Sequence, residues 1–223
     1  MERPANRSYK LRGTRITQAQ AIATEKFWPI FGIAVDGVKH PAPIIPSEIF
    51  PSSDRVIMEI GSGMGEATAD IAVLFPETGF FAVELHKPGI GSLLARINET
   101  GLSNVRIIND DARVVLEHLV PDKSIDAFHL YFPDPWPKNK HWKRRIVQSD
   151  FIDLIAKKLK PGGYIHIATD WVPYAEWIMQ IFNHSNRYNG GEIPKPDFRP
   201  ITRFEGKGLR KGHRVTDLQY FKS

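Results

Sequence analysis

Cysteine is absent from this chain of 223 residues, which excludes disulfides, thiolate metal sites and a cysteine nucleophile. The eight histidines show no metal-ligand spacing, so the sequence predicts no bound metal. No stretch reaches the apolar length that spans a membrane, and the first residues lack the apolar segment of a secretory signal. These absences favour a globular domain without a membrane anchor.

The charge balance is moderately basic. Lys and Arg number 30 against 25 Asp and Glu, which gives a formal net charge of +5. This excess favours an acidic partner, with nucleic acid as the first candidate, but it is too small to identify one. A hydrophobic content of 42% is enough for a buried core, and the length predicts a single domain.

Short apolar runs alternate with helical patterns along the middle of the chain. Predicted strands lie at residues 56–60, 80–84, 105–109, 125–132 and 163–169, and predicted helices at 66–75, 90–100, 112–119, 145–159 and 171–182. Strands that alternate with helices form a parallel sheet with helices on both faces. Ligands bind such sheets outside the carboxyl ends of the strands.

We predict one domain with three parts. Residues 1–53 form a basic arm, a short helix and a Pro-rich connector, residues 54–182 form the α/β core, and residues 183–223 form a polar loop and a hairpin. The hairpin is predicted to pair residues 201–204 with residues 215–221, antiparallel at the sheet edge. The basic side chains of the arm would suit phosphate contacts, and a solvated tail explains them equally well.

The stretch after the strand at 125–132 combines an acid, an aromatic ring and a cationic run. Its turn reads Pro133-Asp134-Pro135-Trp136-Pro137, and the prolines stiffen it. Five basic residues follow, namely Lys138, Lys140, Lys143, Arg144 and Arg145. This pattern favours a site for a flat, electron-rich group attached to a polyanion, such as a base in RNA. The alternative is a plain turn with Trp136 packed on the core, followed by the solvated start of a helix.

Acids stand at the carboxyl ends of all five predicted strands. They are Glu59, Glu84, Asp110 with Asp111, Asp134 and Asp170. Carboxylates that cluster on one edge of a sheet repel one another and lower stability, so a purely structural role explains them poorly. The pattern predicts a cationic or hydrogen-bond-donating ligand along that edge.

A glycine turn after the first of these strands narrows the choice of ligand. Its glycines are Gly61, Gly63 and Gly65. A dinucleotide fingerprint would have its last glycine where this chain has Glu66, and an acid there disfavours a pyrophosphate. Glu84 is placed to accept hydrogen bonds from ribose hydroxyls, Glu59 to meet a positive charge and Asp111 to lie near an adenine. S-adenosyl-L-methionine fits this set, and a generic α/β sheet remains the alternative.

Six motifs carry a resemblance to a known family. They are MEIGSGMG at 58–65, VELHKPGIG at 83–91, FPDPWPK at 132–138, KRRIVQ at 143–148, ATDW with PYAE at 168–176, and RPITRFE at 199–205. With them the chain resembles the bacterial-type tRNA (guanine-N7-)-methyltransferases over nearly its whole length. FPDPW and ATDW are specific when they occur together, whereas the glycine turn alone is not.

The resemblance implies a Rossmann-like class I methyltransferase fold. Its sheet would have seven mostly parallel strands, helices on both faces and an antiparallel C-terminal edge hairpin. The implied reaction is methyl transfer from S-adenosyl-L-methionine to N7 of a guanine in the tRNA variable loop, at nucleotide 46. We therefore expect a cytoplasmic enzyme whose partner is tRNA, acting as a monomer or homodimer without an obligate protein partner.

The resemblance also implies roles for individual residues. Implied cofactor contacts are Glu59, Gly61, Gly63, Gly65, Glu84, Asp111 and Asp134, of which Asp134 is also in the catalytic position. Implied substrate contacts are Lys138, Asp170, Thr202, Arg203, Phe204 and Glu205, and implied RNA contacts are Lys140, Lys143, Arg144 and Arg145. Two departures stand out: Arg203 replaces the lysine of many members, which alters the geometry of the charge, and Trp142 interrupts the basic run.

Three other functions fit parts of the sequence. A methyltransferase for another RNA or for a small molecule is disfavoured by the length of the FPDPW and TRFE matches. A catalytically silent RNA-binding subunit would not need the acids at the strand ends. A nicotinamide oxidoreductase is disfavoured by Glu66 and by the missing third glycine of the fingerprint.

Overall fold

The structure is a computed structural model that describes residues 8–9, 15–35 and 41–223. Its elements, in chain order, are α1 (Gln18–Phe31), β1 (Gly32–Ala34), α2 (Pro46–Ile49), β2 (Arg55–Ile60), α3 (Glu66–Leu74), β3 (Thr78–Val83), α4 (Lys87–Thr100), β4 (Val105–Asn109), α5 (Ala112–His118), β5 (Ile125–Tyr131), a 3₁₀-helix (Asn139–Arg144), α6 (Ser149–Lys158), β6 (Leu159–Thr169), α7 (Val172–Asn183), β7 (Tyr188–Ile193), α8 (Arg203–Leu209) and β8 (Thr216–Lys222).

The strands form one sheet in the order β1-β4-β3-β2-β5-β6-β8-β7. The pairs from β1 to β6 are parallel, whereas β8 runs antiparallel to both β6 and β7. The strand order reverses at β2, which pairs with β3 on one side and with β5 on the other. Ligands of open α/β sheets bind beyond the carboxyl ends of the strands at such a reversal.

Two hydrophobic layers cover the two faces of the sheet. One contains side chains from α5, α6 and α7, and the other contains side chains from α1, α3 and α4. Both faces of β3 are covered, because Phe81 belongs to the first layer and Phe80 to the second. This double burial explains why the strands appear in the sequence as continuous apolar runs.

The predicted fold class is confirmed, but the sheet has eight strands instead of seven. The additional strand is β1, which pairs with β4 at the sheet edge through Gly32 and Ile107. It follows α1 directly and has three residues, so it leaves no strand-length apolar pattern in the sequence.

The antiparallel edge is present, but the predicted partner of β8 is wrong. β8 pairs with Tyr188–Ile193 instead of residues 201–204. β7 is polar and contains Gly190, at φ +153°, where a Cβ atom would collide with the backbone of Gln219. Residues 203–209 form α8, because the hydroxyl of Thr202 accepts a hydrogen bond from a backbone N–H of the first helical turn.

The predicted helix at 145–159 is also wrong at its start. α6 begins at Ser149, and a 3₁₀-helix covers Asn139–Arg144. Between them Arg145 has an extended backbone, with φ −57° and ψ 133°. None of the helices in the described ranges is long and apolar enough to cross a membrane.

Candidate active site at the carboxyl edge of the sheet

A cavity of about 850 Å³ opens beyond the carboxyl ends of β2, β3, β4 and β5. Its walls include the last residues of these strands and the segments after them, at residues 59–64, 83–86, 110–112 and 130–134, and the start of α8. The volume lies in the range of small-molecule sites. The sheet therefore brings together the acids predicted at the ends of β2, β3, β4 and β5, whereas Asp170, at the end of β6, does not line the cavity.

The glycine turn borders this cavity with a backbone that side chains would obstruct. Gly61, Gly63 and Gly65 have φ values of +72°, +57° and +74°. A Cβ atom on Gly65 would lie 2.5 Å from the Cβ of Leu93, whereas Gly61 and Gly63 face open space. The turn is thus packed on one side and accessible to a ligand on the other.

Glu84 fastens the glycine turn to the end of β3. Its Oε2 accepts a hydrogen bond of 2.7 Å from the Gly63 N–H, and its Oε1 accepts bonds of 2.7 Å from the N–H groups of Leu85 and His86. Burial raises the pKa of Glu84, and these backbone donors oppose the rise. Glu84 lines the cavity as predicted, and its contact with ribose stays a prediction.

Glu59 is buried at the end of β2, where its carboxylate accepts a hydrogen bond from the Thr68 hydroxyl. Burial raises the pKa of Glu59 to about 7, and the negative charge of Glu84 adds to the rise. A carboxyl group in this state is half protonated near neutral pH. A positive charge brought close to it would favour the ionised form.

Asp110 and Asp111 line the cavity after β4, and both are buried. Asp111 caps α5, because its Oδ1 accepts a bond of 2.8 Å from the Arg113 N–H. Asp110 accepts a bond of 2.7 Å from the Asp111 N–H. The sequence singled out Asp111 for the adenine, and the structure gives Asp110 equal access to the cavity.

Asp134 lies on a strained loop that the surrounding structure holds in place. The flanking aromatic residues Phe132 and Trp136 have positive φ values of 52° and 43°, which side chains rarely adopt. Phe132 donates its N–H to the Ala168 carbonyl at 2.7 Å, and Trp136 donates its Nε1–H to the Ser8 carbonyl at 3.1 Å. The loop presents the half-buried Asp134 side chain to the cavity.

Trp136 is a packing residue, which is the alternative that the sequence left open. Its side chain is 4% exposed and does not line the cavity. The Arg144 guanidinium lies over its ring, 4.0 Å from the centroid. Lys138, Lys140 and Lys143 are exposed, so the basic run still offers cations to a polyanion.

Arg145 does not belong to that cationic surface, which corrects its predicted RNA contact. It is 2% exposed, and its guanidinium lies 4.7 to 5.2 Å from the ring centroids of Trp142, Tyr174 and Trp177. Its Nε also donates a bond of 2.9 Å to the carbonyl of Pro135. Arg145 therefore stabilises the loop that carries Asp134, through its hydrogen bond to the neighbouring Pro135.

The start of α8 closes one side of the cavity. Thr202, Arg203 and Phe204 all line it, and the Phe204 ring lies 5.4 Å from the Phe132 ring. Arg203 connects this segment to α3, because its N–H donates to Glu66 at 2.6 Å and its Nε lies 3.3 Å from the same carboxylate.

Glu205 is the exception in this motif, and its predicted substrate contact is corrected. It is 1% exposed, and the Arg199 guanidinium donates bonds of 2.7 and 2.9 Å to its carboxylate. Arg199 also binds Asp217 of β8 through bonds of 2.7 and 2.9 Å. The pair of carboxylates raises the pKa of Arg199 although burial alone would lower it. Glu205 thus anchors α8 to the sheet.

The anchor continues into a buried polar chain that the sequence analysis missed. His166 Nε2 lies 2.8 Å from Asp217, and its Nδ1 lies 3.1 Å from the hydroxyl of Tyr131, which lines the cavity. Burial raises the pKa of Asp217, but its bonds to His166 and Arg199 prevail and leave it lowered. The RPITRFE motif, which contains Arg199 and Glu205, was the sequence signal for this chain of polar contacts. The motif does not reveal which of its charged residues are buried.

Asp170 lies beside the cavity without lining it. Its Oδ2 is 2.9 Å from Nδ1 of His213, and a Cβ atom on Gly208 of α8 would come within 3.2 Å of it. Lys138 and the rest of the basic run also lie outside the cavity lining. Ser8 and Tyr9 of the N-terminal arm line it, a position that neither of the sequence-based alternatives for the arm, phosphate contacts or a solvated tail, predicted.

Comparison with known proteins identifies the family. A family model described as "Putative methyltransferase" matches residues 53–218. A tRNA (guanine-N(7)-)-methyltransferase of Nitrosomonas eutropha is 46% identical over 223 residues, which cover 99% of this chain and 98% of that protein. The enzyme of the same name from Streptomyces avermitilis is 45% identical and covers 96% of this chain and 74% of that protein.

Solved structures agree with the fold. The 16S rRNA methyltransferase KamB superposes with a TM-score of 0.59 at 15% identity, covering 83% of this chain and 97% of that one. SMU.1697c from Streptococcus mutans, described as "a putative methyltransferase" and solved in complex with SAH, gives a TM-score of 0.53 at 10% identity and covers 79% of this chain and 94% of that one. From the matched motifs and the full-length relatives, this chain belongs to the family of tRNA (guanine-N(7)-)-methyltransferases.

Proposed function

We propose that this enzyme transfers a methyl group from S-adenosyl-L-methionine to N7 of a guanine in tRNA, at nucleotide 46 of the variable loop. The observation that carries the proposal is the shared cavity, where Asp134 on its braced loop faces the acids that follow β2, β3 and β4. The names of the full-length relatives support the substrate. A cytoplasmic location, and action as a monomer or homodimer without an obligate protein partner, remain predictions.

The residues around the glycine turn suit this cofactor. Gly61 and Gly63 leave the backbone open to a ligand, and Glu84 and Asp111 offer carboxylate oxygens to ribose hydroxyls and to an adenine amino group. Glu59 favours a positive charge nearby. Glu66 occupies the mouth of α3 with its own negative charge, which disfavours the pyrophosphate of a nicotinamide cofactor.

The bound cofactor supplies an electrophilic methyl group on a sulfonium. The guanine N7 already carries a lone pair in the plane of the ring, so in-line attack on that methyl group requires no deprotonation. The protein must therefore align the base with the methyl carbon, about 3 to 3.5 Å away, and stabilise the charge that develops. No general base is needed among the cavity residues.

Asp134 is the proposed stabilising group. As N7 becomes alkylated, the purine ring gains positive charge, and a carboxylate fixed beside the ring lowers the energy of that state. The bracing of its loop by Trp136 and Arg145 reduces the reorganisation that this stabilisation requires. Asp134 also accepts hydrogen bonds from donors on the base or the cofactor.

The start of α8 is the proposed wall for the target base. Phe204 is about half exposed at the cavity, which suits stacking on a base that has left its helix. Thr202 and Arg203 offer donors beside it. Asp170 contacts His213 beside α8, and its proposed role is to accept hydrogen bonds from donors at the edge of the base once tRNA is bound.

The exposed lysines of the FPDPW loop region are the proposed phosphate contacts. Lys138, Lys140 and Lys143 contribute affinity that falls as salt concentration rises. Extruding a base from the folded tRNA costs a few kcal/mol, which such contacts offset. Arg144 packs on Trp136 and presents its charge from a fixed position.

The decisive experiment is a methyl-transfer assay with labelled S-adenosyl-L-methionine and unmodified tRNA. The product is mapped by chemical cleavage at N7-methylguanosine, and a tRNA with adenine at nucleotide 46 is the control. Label at guanine 46 that disappears in the control supports the proposal. Label at another nucleotide would overturn the assigned position, and label on no RNA at all would overturn the substrate.

A further inference from the structure

α8 carries a basic stripe on the side away from the sheet. Arg203, Lys207 and Arg210 are exposed and follow the spacing i, i+4, i+7, which places them on one helix face. The opposite face, with Glu205 and Gly208, is buried. Lys211 is exposed in the turn that follows. Lys207, Arg210 and Lys211 together form the α8 basic surface.

The segment of α8 and the turn after it, residues 203–214, supplies no exposed acid beside these three cations. The only acid between residues 203 and 214 is Glu205, which is buried against Arg199. Arg203 pairs with Glu66, at the edge of the α8 basic surface. Within the part of the chain that the structure describes, no salt bridge joins Lys207, Arg210 or Lys211 to a carboxylate.

The α8 basic surface and the lysines near Asp134 flank the cavity from opposite faces of the sheet. Lys207 lines the cavity, and α8 contacts α3 through Glu66. The 3₁₀-helix packs on α7, since the Trp142 ring lies 5.7 Å from the Trp177 ring. α3 and α7 belong to the hydrophobic layers on opposite faces of the sheet, so the two cationic groups stand on opposite sides of the opening.

We propose that the α8 basic surface binds tRNA phosphates on the side of the target guanine opposite to Lys138, Lys140 and Lys143. This inference rests on the proposed function. Extruding one nucleotide places the phosphates before and after it on different sides of the pocket, so a protein that holds both sides keeps the base in the cavity. Arg199 fixes α8 to β8 through two buried carboxylates, so the helix that carries these cations is in place before RNA arrives.

The test compares two double variants that remove the same charges. Lys207→Ala with Arg210→Ala changes the α8 basic surface. Lys157→Ala with Arg187→Ala is the control, because both residues are exposed near the amino ends of the strands, away from the cavity. The Kd for unmodified tRNA is measured by filter binding from 50 to 200 mM KCl, and the tRNA KM and kcat are measured in the transfer assay.

Two lost phosphate contacts should reduce the slope of log Kd against log salt by about 1.4 to 1.8. The tRNA KM should rise on the order of tenfold at low salt, with kcat at saturating tRNA changed much less. The control double variant should keep the wild-type slope. A third variant, Lys207→Arg with Arg210→Lys, preserves both charges and should retain most of the affinity.

A wild-type slope in Lys207→Ala/Arg210→Ala would overturn the inference, as would an equal loss in the control. A loss in the charge-preserving variant as large as in the alanine variant would also overturn it, because it would show a structural role. The proposed function fails separately, if the wild-type enzyme transfers no methyl group to guanine N7 of tRNA. The salt dependence of tRNA binding can be measured whether or not the enzyme transfers a methyl group.

Discussion

Replacing Arg199 with methionine removes the guanidinium that neutralises two buried carboxylates. Asp217 keeps its contact with His166 at 2.8 Å, but Glu205 loses two bonds of 2.7 and 2.9 Å. Breaking a buried ion pair by removing one partner costs about 3 to 5 kcal/mol, since the remaining charge stays buried. Domains of this kind have a free energy of unfolding of about 5 to 15 kcal/mol, so Arg199→Met should lose a large fraction of it.

Urea unfolding of the wild type and of Arg199→Met measures this loss of unfolding free energy, which is calculated from the midpoint and the slope of each transition. Arg187→Met is the control, because its exposed pair with Asp153 at 3.0 Å should contribute less than about 1 kcal/mol. The double variant Arg199→Met/Glu205→Leu should recover much of the loss, since it removes the stranded carboxylate. A loss below about 1 kcal/mol in Arg199→Met, or no recovery in the double variant, would refute the reasoning.

Three further changes separate chemistry, cofactor binding and packing. Asp134→Asn should keep the melting temperature and lower kcat by about 10² to 10³; wild-type turnover would end its proposed role. Glu59→Gln should stabilise the ligand-free protein at pH 8 by about 2 to 4 kcal/mol, because the wild-type carboxyl, with its pKa raised to about 7, ionises while buried. Calorimetry should show that this variant binds S-adenosyl-L-methionine more weakly than the wild type. The affinity of the wild type should rise as pH increases towards 7, because Glu59 ionises, and the variant should lack this rise. Arg145→Ala should lower the melting temperature, whereas Lys143→Ala should leave it unchanged and weaken only tRNA binding; the opposite pattern would contradict the buried position of Arg145.

Local patterns were enough to predict which acids lie together at the carboxyl edge of β2, β3 and β4. Glu59, Glu84 and Asp111 each follow an apolar run, and parallel strands bring such positions to one edge of the sheet. The turn at Gly61 and Gly63 needs positive φ values that glycine adopts easily. These features depend on a few consecutive residues, so the sequence displays them directly.

The substrate side depends on contacts between distant residues, which the sequence does not display. Arg199 and Asp217 are ordinary charges in a polar segment until β8 brings them together. In the sequence, Arg145 is the last residue of a basic run. In the structure its guanidinium is buried among the rings of Trp142, Tyr174 and Trp177, which come from separate parts of the chain. β7 lacks the alternation of apolar and polar residues that is typical of a strand, because it is the edge strand of the sheet and most of its side chains are not buried.

The bond between Glu66 and Arg203 has a thermodynamic consequence. It joins the helix that follows the glycine turn to the segment proposed to hold the guanine. A ligand that displaced Glu66 would also act on Arg203, so this contact is a route by which the two sides of the cavity could be coupled. By reciprocity, any factor by which bound cofactor changes the affinity for tRNA must equal the factor by which bound tRNA changes the affinity for cofactor.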